Sequence, residues 1–397
     1  MKMKIENDAT LPSGFRAAGL HVGLKKSGAS DMALLVSDTP ATVAAVFTSN
    51  QIKAAPVKWC MARAASRKGR AVVINSGNAN CCTGEKGLRD AAQMAEWTAS
   101  ELGVKASDVY VCSTGSIGFD LDMKTIGRGI PRLAEALSPQ GGEEAAQGIM
   151  TTDNAPKFVT TSFKADGKTV RVTGIAKGAG MIEPNMATML CFLMTDAAVA
   201  PSSLQKALKS AVNESFNRIS VDGDQSTNDT VLCFANGASG SDSLKPGHPG
   251  WAAFEEALLQ VARVLAWKMI RDGEGADKVI KVEVTGAGTA KDAELAARSV
   301  ANSLLVKTSW HGTNPKWGRV MDALGYSPAR VDESKVSIAY DGVVAVRNGI
   351  KTKASPDRLK KIHSQERFTI TIDLGLGKGA SYVFGCDCAH KYIDINI

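Results

Sequence analysis

Several things that would settle a function quickly are missing from this sequence. No apolar run approaches the roughly twenty residues that a membrane-spanning helix needs. The opening residues, Met1-Lys-Met-Lys-Ile-Glu-Asn-Asp8, contain no apolar core segment, so no secretory signal is expected. The compartment these absences imply is the cytoplasm. Aromatic residues make up only 6% of the chain, and no basic stripe runs among them, which argues against a nucleic-acid surface. The eight cysteines form no Cys-x-x-Cys pair, so neither a zinc ribbon nor a thioredoxin-type site is expected. Cys386-Asp-Cys388 is the nearest approach to a soft-metal pair. The five histidines show no short ligand spacing, and Ile219–Asp224, though acidic, lacks the spaced oxygen ligands of an EF-hand. No metal and no cofactor are therefore expected. No repeat of about 20–50 residues is visible, which excludes a solenoid.

What is present is an ordinary globular composition. Hydrophobic residues make up 44% and charged residues 22% of 397, a length that suits two or three domains. The 47 basic and 40 acidic residues leave a formal charge of +7, a mild excess that favours anionic small substrates. Several cysteines sit inside apolar, strand-like runs, where a free thiol behaves as a small hydrophobe.

The pattern is mixed α/β. Met32–Ser37 and Ala41–Phe47 read as strands on either side of Asp38-Thr-Pro40. Arg70–Asn75 is another, running into Ser76-Gly-Asn-Ala-Asn80, which reads equally as a turn or as the polar wall of a pocket. Residues 85–102 have helical spacing, and Asp108–Cys112 is the next strand. After it comes Ser113-Thr-Gly-Ser-Ile-Gly118, a small, Gly-rich loop of the sort that offers donors to an oxyanion; no Gly-Lys-Ser/Thr follows, so it is no P-loop. Residues 123–150 are mostly helical with a break near Ser138-Pro-Gln-Gly-Gly142, and 158–172 alternate as a hairpin through Asp166-Gly167. Helices are predicted over 202–216, 251–270 and 292–304. From Val279, which opens a strictly alternating strand, a smaller C-terminal α/β lobe is expected over 278–397, after a core over 1–277. Within that lobe, Lys335–Arg347 reads as a hairpin, and Phe368–Asp373 with Ser381–Phe384 reads as another around Gly375 to Gly379.

The chain is organised around Lys177-Gly-Ala-Gly-Met-Ile-Glu-Pro-Asn-Met-Ala-Thr-Met-Leu190. Pro184-Asn185 reads as a turn, and Thr188 stands at the head of the apolar run Met189–Met194. A lone Thr there is ordinarily a strand residue. The sharper reading is a nucleophile of the N-terminal type. Its hydroxyl would attack the carbonyl of Ala187, cut the chain, and leave an α-amine that titrates around pH 8 and serves as the general base. Lys177 follows the apolar Ile175-Ala176 and precedes a Gly-rich turn, which predicts a packed lysine able to pair with a substrate carboxylate.

Glu183-Pro-Asn-Met-Ala-Thr-Met-Leu190 closely resembles the self-cleavage segment of the ornithine acetyltransferase (glutamate N-acetyltransferase) family. Ser113–Gly118, Met150-Thr-Thr-Asp153, Gly174–Gly178, Phe216–Asp222, Ser226-Thr-Asn-Asp229, Asp272-Gly-Glu-Gly-Ala276 and Asn314–Arg319 resemble further family motifs, in family order. The resemblance implies an α/β/β/α sandwich of the N-terminal-nucleophile kind, cut between Ala187 and Thr188 into fragments 1–187 and 188–397 that stay together as an α2β2 heterotetramer. It implies that Thr188 takes an acetyl group from N-acetylornithine and passes it to glutamate, with acetyl-CoA as a possible second donor. It assigns the oxyanion to Thr114 and Gly115, and substrate binding to Thr151, Lys177, Thr188, Glu274 and Asn396. A hydroxyl residue that relatives carry a few positions beyond Asn396 is not found, from which either looser substrate binding or closure of the site by another loop is expected. Two other classes remain open: a self-processing amidase, and an uncut binding protein in which Thr188 is structural.

Overall fold

The computed structural model describes residues 3–183 and 189–397. Ala187 and Thr188, and so the expected cleavage site, lie outside the described residues. In chain order the described strands are β1 (Ile5–Glu6), β2 (Phe15–Leu20), β3 (Met32–Phe47), β4 (Lys68–Asn78), β5 (Val109–Ser116), β6 (Lys157–Ala165), β7 (Lys168–Lys177) and β8 (Leu190–Thr195). Then follow β9 (Ile219–Ser220), β10 (Thr230–Ala235), β11 (Val279–Ala287), β12 (Ser337–Tyr340), β13 (Val343–Arg347), β14 (Ile350–Lys351), β15 (Arg367–Asp373) and β16 (Gly379–Cys386). They divide between two units. One takes the described residues up to 181 with 189–217 and 225–269, and the other takes 182–183, 218–224 and 270–397.

The first unit is built on a nine-stranded sheet in the order β1-β6-β7-β8-β10-β3-β4-β5, with β2 on β3. Alternate residues of its strands point to opposite faces, as the period of two requires. Val72 and Ile74 of β4 join Ile175, Phe192, Met194, Leu232 and Phe234 from the other half of the sheet in one buried cluster, so the two halves face each other. Ala71 and Val73 point the other way, against Met94 and Ala95 of helix Gly84–Leu102 and Ile126, Ile130 and Leu133 of helix Met123–Glu135. On the far side, the helix Trp251–Arg271 lies so close to β7 that a Cβ on Gly174 would meet Leu265 at 2.6 Å. Helix, sheet, sheet, helix is the expected α/β/β/α order.

Two readings change. The segments around Asp38-Thr-Pro40 are one 16-residue strand, β3. Its register against β4 shifts between Val36 and Ala41, and residues 38–40 stand exposed in that irregularity. A bulge is where a strand tolerates proline. In the second unit the sheet runs β14-β13-β12-β15-β11-β16-β9, so β15 and β16 are not a hairpin. β11 lies between them, parallel to β15 and antiparallel to β16. The Gly-rich connection steps over the end of β11, with the N–H of Leu374 on the Thr285 carbonyl and that of Gly377 on Gly286. Alternation marks a strand but does not name its neighbour. The expected hairpins through Asp166-Gly167 and Asp341-Gly342 do form, with positive φ at all four residues. Six of the eight cysteines are buried thiols. No helix among the described residues is long and apolar enough to cross a membrane.

Candidate active site

In the first unit the site collects at the ends of β4, β5 and β7. Thr114 and Gly115 do not form a free loop: β5 runs through Ser116, paired in parallel with β4, with Ser76 opposite Thr114 and Gly77 opposite Gly115. Thr114 is therefore buried, at 2% exposure, while Gly115 is open to solvent. The strands pinch together at this point. Gly115 has φ +131°, and a Cβ there would lie 2.3 Å from the Gly77 carbonyl carbon. Only glycine fits that backbone.

The neighbouring polar residues brace these strand ends. Ser113 donates to Asn75 at 2.6 Å, and Asn75 donates to the Asn78 carbonyl. Asn228 donates to the carbonyls of Ala79 and Ser113 at 2.6 and 2.8 Å. Asn78 and Asn80 bond the backbone at Phe119, Asp120 and Gly87. The Ser76–Asn80 segment thus acts as a brace here, which decides part of what its sequence left open.

Lys177 ends β7 and is 2% exposed, packed as its apolar neighbours predict. Its Nζ donates to Thr114 Oγ1 at 3.4 Å, a long hydrogen bond. Beside it Asp153 gathers three donors: Lys157 Nζ at 2.6 Å, the Gly178 N–H at 2.7 Å and the Thr151 N–H at 3.0 Å. Burial alone would raise the Asp153 carboxyl, but Lys177, Lys157 and the Gly178 amide together hold it down at about 2. Thr151 is half-buried at this junction. Lys25 reaches the Met150 carbonyl at 2.7 Å, and its burial lowers its pKa. Three ammonium groups around one carboxylate favour an arriving anion.

The second unit holds the other pair. Glu274 is buried in the turn closed by the Ala276 N–H on the Gly273 carbonyl, and its Oε2 accepts from Asn396 Nδ2 at 2.9 Å. Asn396 belongs to the helix His390–Asn396, and its amide also donates to the Tyr392 carbonyl. Gly275 has φ +67°, and a Cβ there would sit 2.5 Å from the Tyr392 nitrogen, so this turn and this helix are fitted to each other. Tyr392 donates to Asp222 at 3.3 Å. Burial, with Asp222 and Glu274, pushes its phenol up.

The structure thus brings Thr114, Gly115, Thr151 and Lys177 together in one unit and Glu274 with Asn396 in the other. The sequence assigns no role to Asp153, Lys157 or Asn228, although Asp153 and Asn228 stand in motifs that resemble the family's. Nothing in a string of residues marks a carboxylate as a hub for amides and ammoniums.

A buried hydroxyl, a glycine backbone and an ammonium at neighbouring strand ends are the equipment of an enzyme that stabilises an oxyanion during acyl transfer. The ArgJ family model matches residues 16–397. The chain is 45% identical to the arginine biosynthesis bifunctional protein ArgJ of Caldanaerobacter subterraneus subsp. tengcongensis, over 99% of this chain and 98% of that one. It is 42% identical to the protein of the same name from Bacillus subtilis, over 99% and 97%. A crystal structure of the arginine biosynthesis bifunctional protein argJ from Bacillus halodurans matches with a TM-score of 0.50 at 39% identity, covering 52% of this chain and 97% of that one. The chain belongs to the ArgJ family.

Proposed function

We propose that this chain is an acetyltransferase of arginine biosynthesis that moves an acetyl group from N2-acetylornithine to glutamate through an acetyl-Thr188 intermediate. The observation that carries this reading is the family match over residues 16–397, with relatives named for arginine biosynthesis along almost their whole length. The chemistry divides into two acyl transfers. The Thr188 hydroxyl adds to the acetyl carbonyl, the oxyanion is met by Thr114 and Gly115, the amide C–N bond breaks, and ornithine leaves with a proton on its amine. Glutamate then attacks the ester with its amine, and N-acetylglutamate and the free hydroxyl result. Lys177 donates to the Thr114 oxygen, which leaves the Thr114 hydroxyl proton available to the oxyanion. Lys177 and Thr151 are assigned to the substrate backbone, and Glu274 with Asn396 to substrate polar groups, the carboxylate suiting the ornithine ammonium.

Thr188 becomes a nucleophile with its own base only if the chain is cut before it. One observation supports the cut. The matching crystal chain is about half as long as this one, whereas the curated relatives of the same name match over nearly the full length. The reading extends to an α2β2 assembly in the cytoplasm, and, from the word bifunctional in the relatives' names, to acetyl-CoA as a second donor. The self-processing amidase is disfavoured by the family match.

N-terminal sequencing of purified protein tests the core of this. A second terminus, Thr-Met-Leu-Cys, is expected beside the first. Thr188→Ala should give one uncut chain and no transfer from acetylornithine to glutamate. Free acetate released without any need for glutamate would return the amidase.

A further inference from the structure

Lys25 is a cation of the first unit that the proposed chemistry does not use. It is half-buried in the loop between β2 and β3. Asp31, fully buried, holds that loop in place. One Asp31 oxygen accepts the Val22 N–H at 2.7 Å, and the other accepts those of Gly23, Leu24 and Lys25 at 3.2, 2.7 and 3.0 Å. The Asp31 carbonyl accepts the Ser76 N–H at 2.8 Å, one residue before Gly77. A carboxylate that meets four successive amides fixes the path of the backbone, here against the end of β4.

This frame lays the Lys25 side chain across the strand ends that carry Thr114 and Gly115. A Cβ added at Gly77 would meet Lys25 Cγ at 3.5 Å, and Gly77 is the strand partner of Gly115. At its tip, Nζ donates to the Met150 carbonyl at 2.7 Å and to the Ser30 carbonyl at 2.8 Å. Met150 directly precedes Thr151. Both acceptors are neutral carbonyls, and they take two of the three protons of an ammonium. Burial lowers the Lys25 pKa and Lys177 lowers it further, while Asp31 and Asp153 oppose them. A half-buried cation with a like charge nearby is relieved by an anion that arrives beside it.

We infer that Lys25 is a specificity-determining residue that binds, beside Lys177, the α-carboxylate common to both substrates. This rests on the reading that acetyl transfer takes place against Thr114 and Gly115, and it adds a second cation to that site. The chemistry of the substrates supplies the link. In N2-acetylornithine the acetylated nitrogen and the carboxylate share the α-carbon. An acetyl carbonyl set against Thr114 and Gly115 therefore brings the carboxylate close to the same strand ends. Glutamate reaches the same arrangement as its amine attacks. Lys25 then gives its third proton to the carboxylate, while the other two keep the Ser30 and Met150 carbonyls in place. It makes and breaks no covalent bond.

N-acetylputrescine, which is N2-acetylornithine without its carboxylate, makes the test specific. Lys25→Met keeps an unbranched stem over Gly77 and removes the charge. It is expected to raise the KM for acetylornithine by about tenfold or more with kcat within about threefold. The inhibition constant of N-acetylputrescine, used as a competitor, should stay within about twofold, because that molecule has no carboxylate to lose. Lys25→Gln keeps a donor for the two carbonyls and should show the same split. Should the methionine variant fail to fold, the glutamine variant decides alone. A lysine that only braces Ser30 and Met150 would weaken both molecules alike. Equal weakening overturns the inference, as does an unchanged KM for acetylornithine. The wild type keeps the two levels apart. If it moves no acetyl group from acetylornithine to glutamate, the underlying reading fails. If it does so and the variants bind acetylornithine as well as it does, only the role of Lys25 fails.

Discussion

The ammonium of Lys177 lies 3.4 Å from the hydroxyl oxygen of Thr114, and both side chains are sealed from solvent at 2% exposure. A lysine that occupies one lone pair of a threonine oxygen leaves the hydroxyl free to point its proton elsewhere. On the proposed reading that proton serves the oxyanion, which gives the pair a direct test.

Thr114→Val keeps the shape and removes the donor. The transfer rate should fall by roughly a hundredfold or more, with Thr114→Ser recovering most of it. Because Thr114 is buried, the valine variant should also leave Lys177 without this acceptor, and a modest drop in melting temperature is expected. Steady-state rates on acetylornithine decide: a valine variant as fast as wild type would return Thr114 to a purely structural role.

Asp153 has a pH signature. Its carboxyl is held at about 2 in the fold, below its ordinary 3.8, so its ionised form is favoured by folding. A depressed carboxyl contributes stability that is fully present above its unfolded value, near pH 4, and is lost as pH falls toward 2. The contribution is about 2 kcal/mol. Urea unfolding at pH 6 and at pH 3 should show that Asp153→Asn has lost stability at pH 6 and that its deficit narrows at pH 3. A deficit that stays constant between the two would show that Asp153 acts through shape alone.

Glu274 offers a test of selectivity. Glu274→Gln should slow the ornithine half-reaction more than the glutamate half-reaction, because only ornithine carries a side-chain ammonium. Asn396→Ala, which removes the 2.9 Å bond to Glu274, should act in the same direction with a smaller effect. Stopped turnover with each substrate alone measures the two halves separately. Equal losses would assign Glu274 to holding the helix His390–Asn396.

Much of this site was readable because its motifs are local. Lys177 was expected to be packed from Ile175-Ala176 and the glycines after it, and it is buried. Thr114-Gly115 reads from the sequence as an exposed Gly-rich loop, whereas Thr114 is buried. Its burial comes from parallel pairing with Ser76-Gly77, nearly forty residues earlier, which no local pattern records. The same limit hid part of the role of Asp153, whose Gly178 amide is brought to it by the fold. The two strands read at Met32–Ser37 and Ala41–Phe47 were correct as extended chain. They merged because a bulge absorbs Pro40, and a proline is normally read as an end. The hairpin expected around Gly375 failed because another strand, set far earlier in the chain, takes the space between its two arms.

The order of strands in the first sheet bears on how a cut chain would hold together. β8 and β10 come after residue 188, yet they sit in mid-sheet between β7 and β3, which come before it. Each flank is a six-residue ladder, Val172–Lys177 on one side and Thr42–Phe47 on the other. A product split before Thr188 would therefore be interleaved rather than docked. Neither piece could leave without unzipping two ladders and exposing the cluster around Phe192 and Leu232 to water. Mixing separately produced pieces should then rebuild little native protein, whereas a chain that folds first and breaks afterwards would keep its parts for its working life.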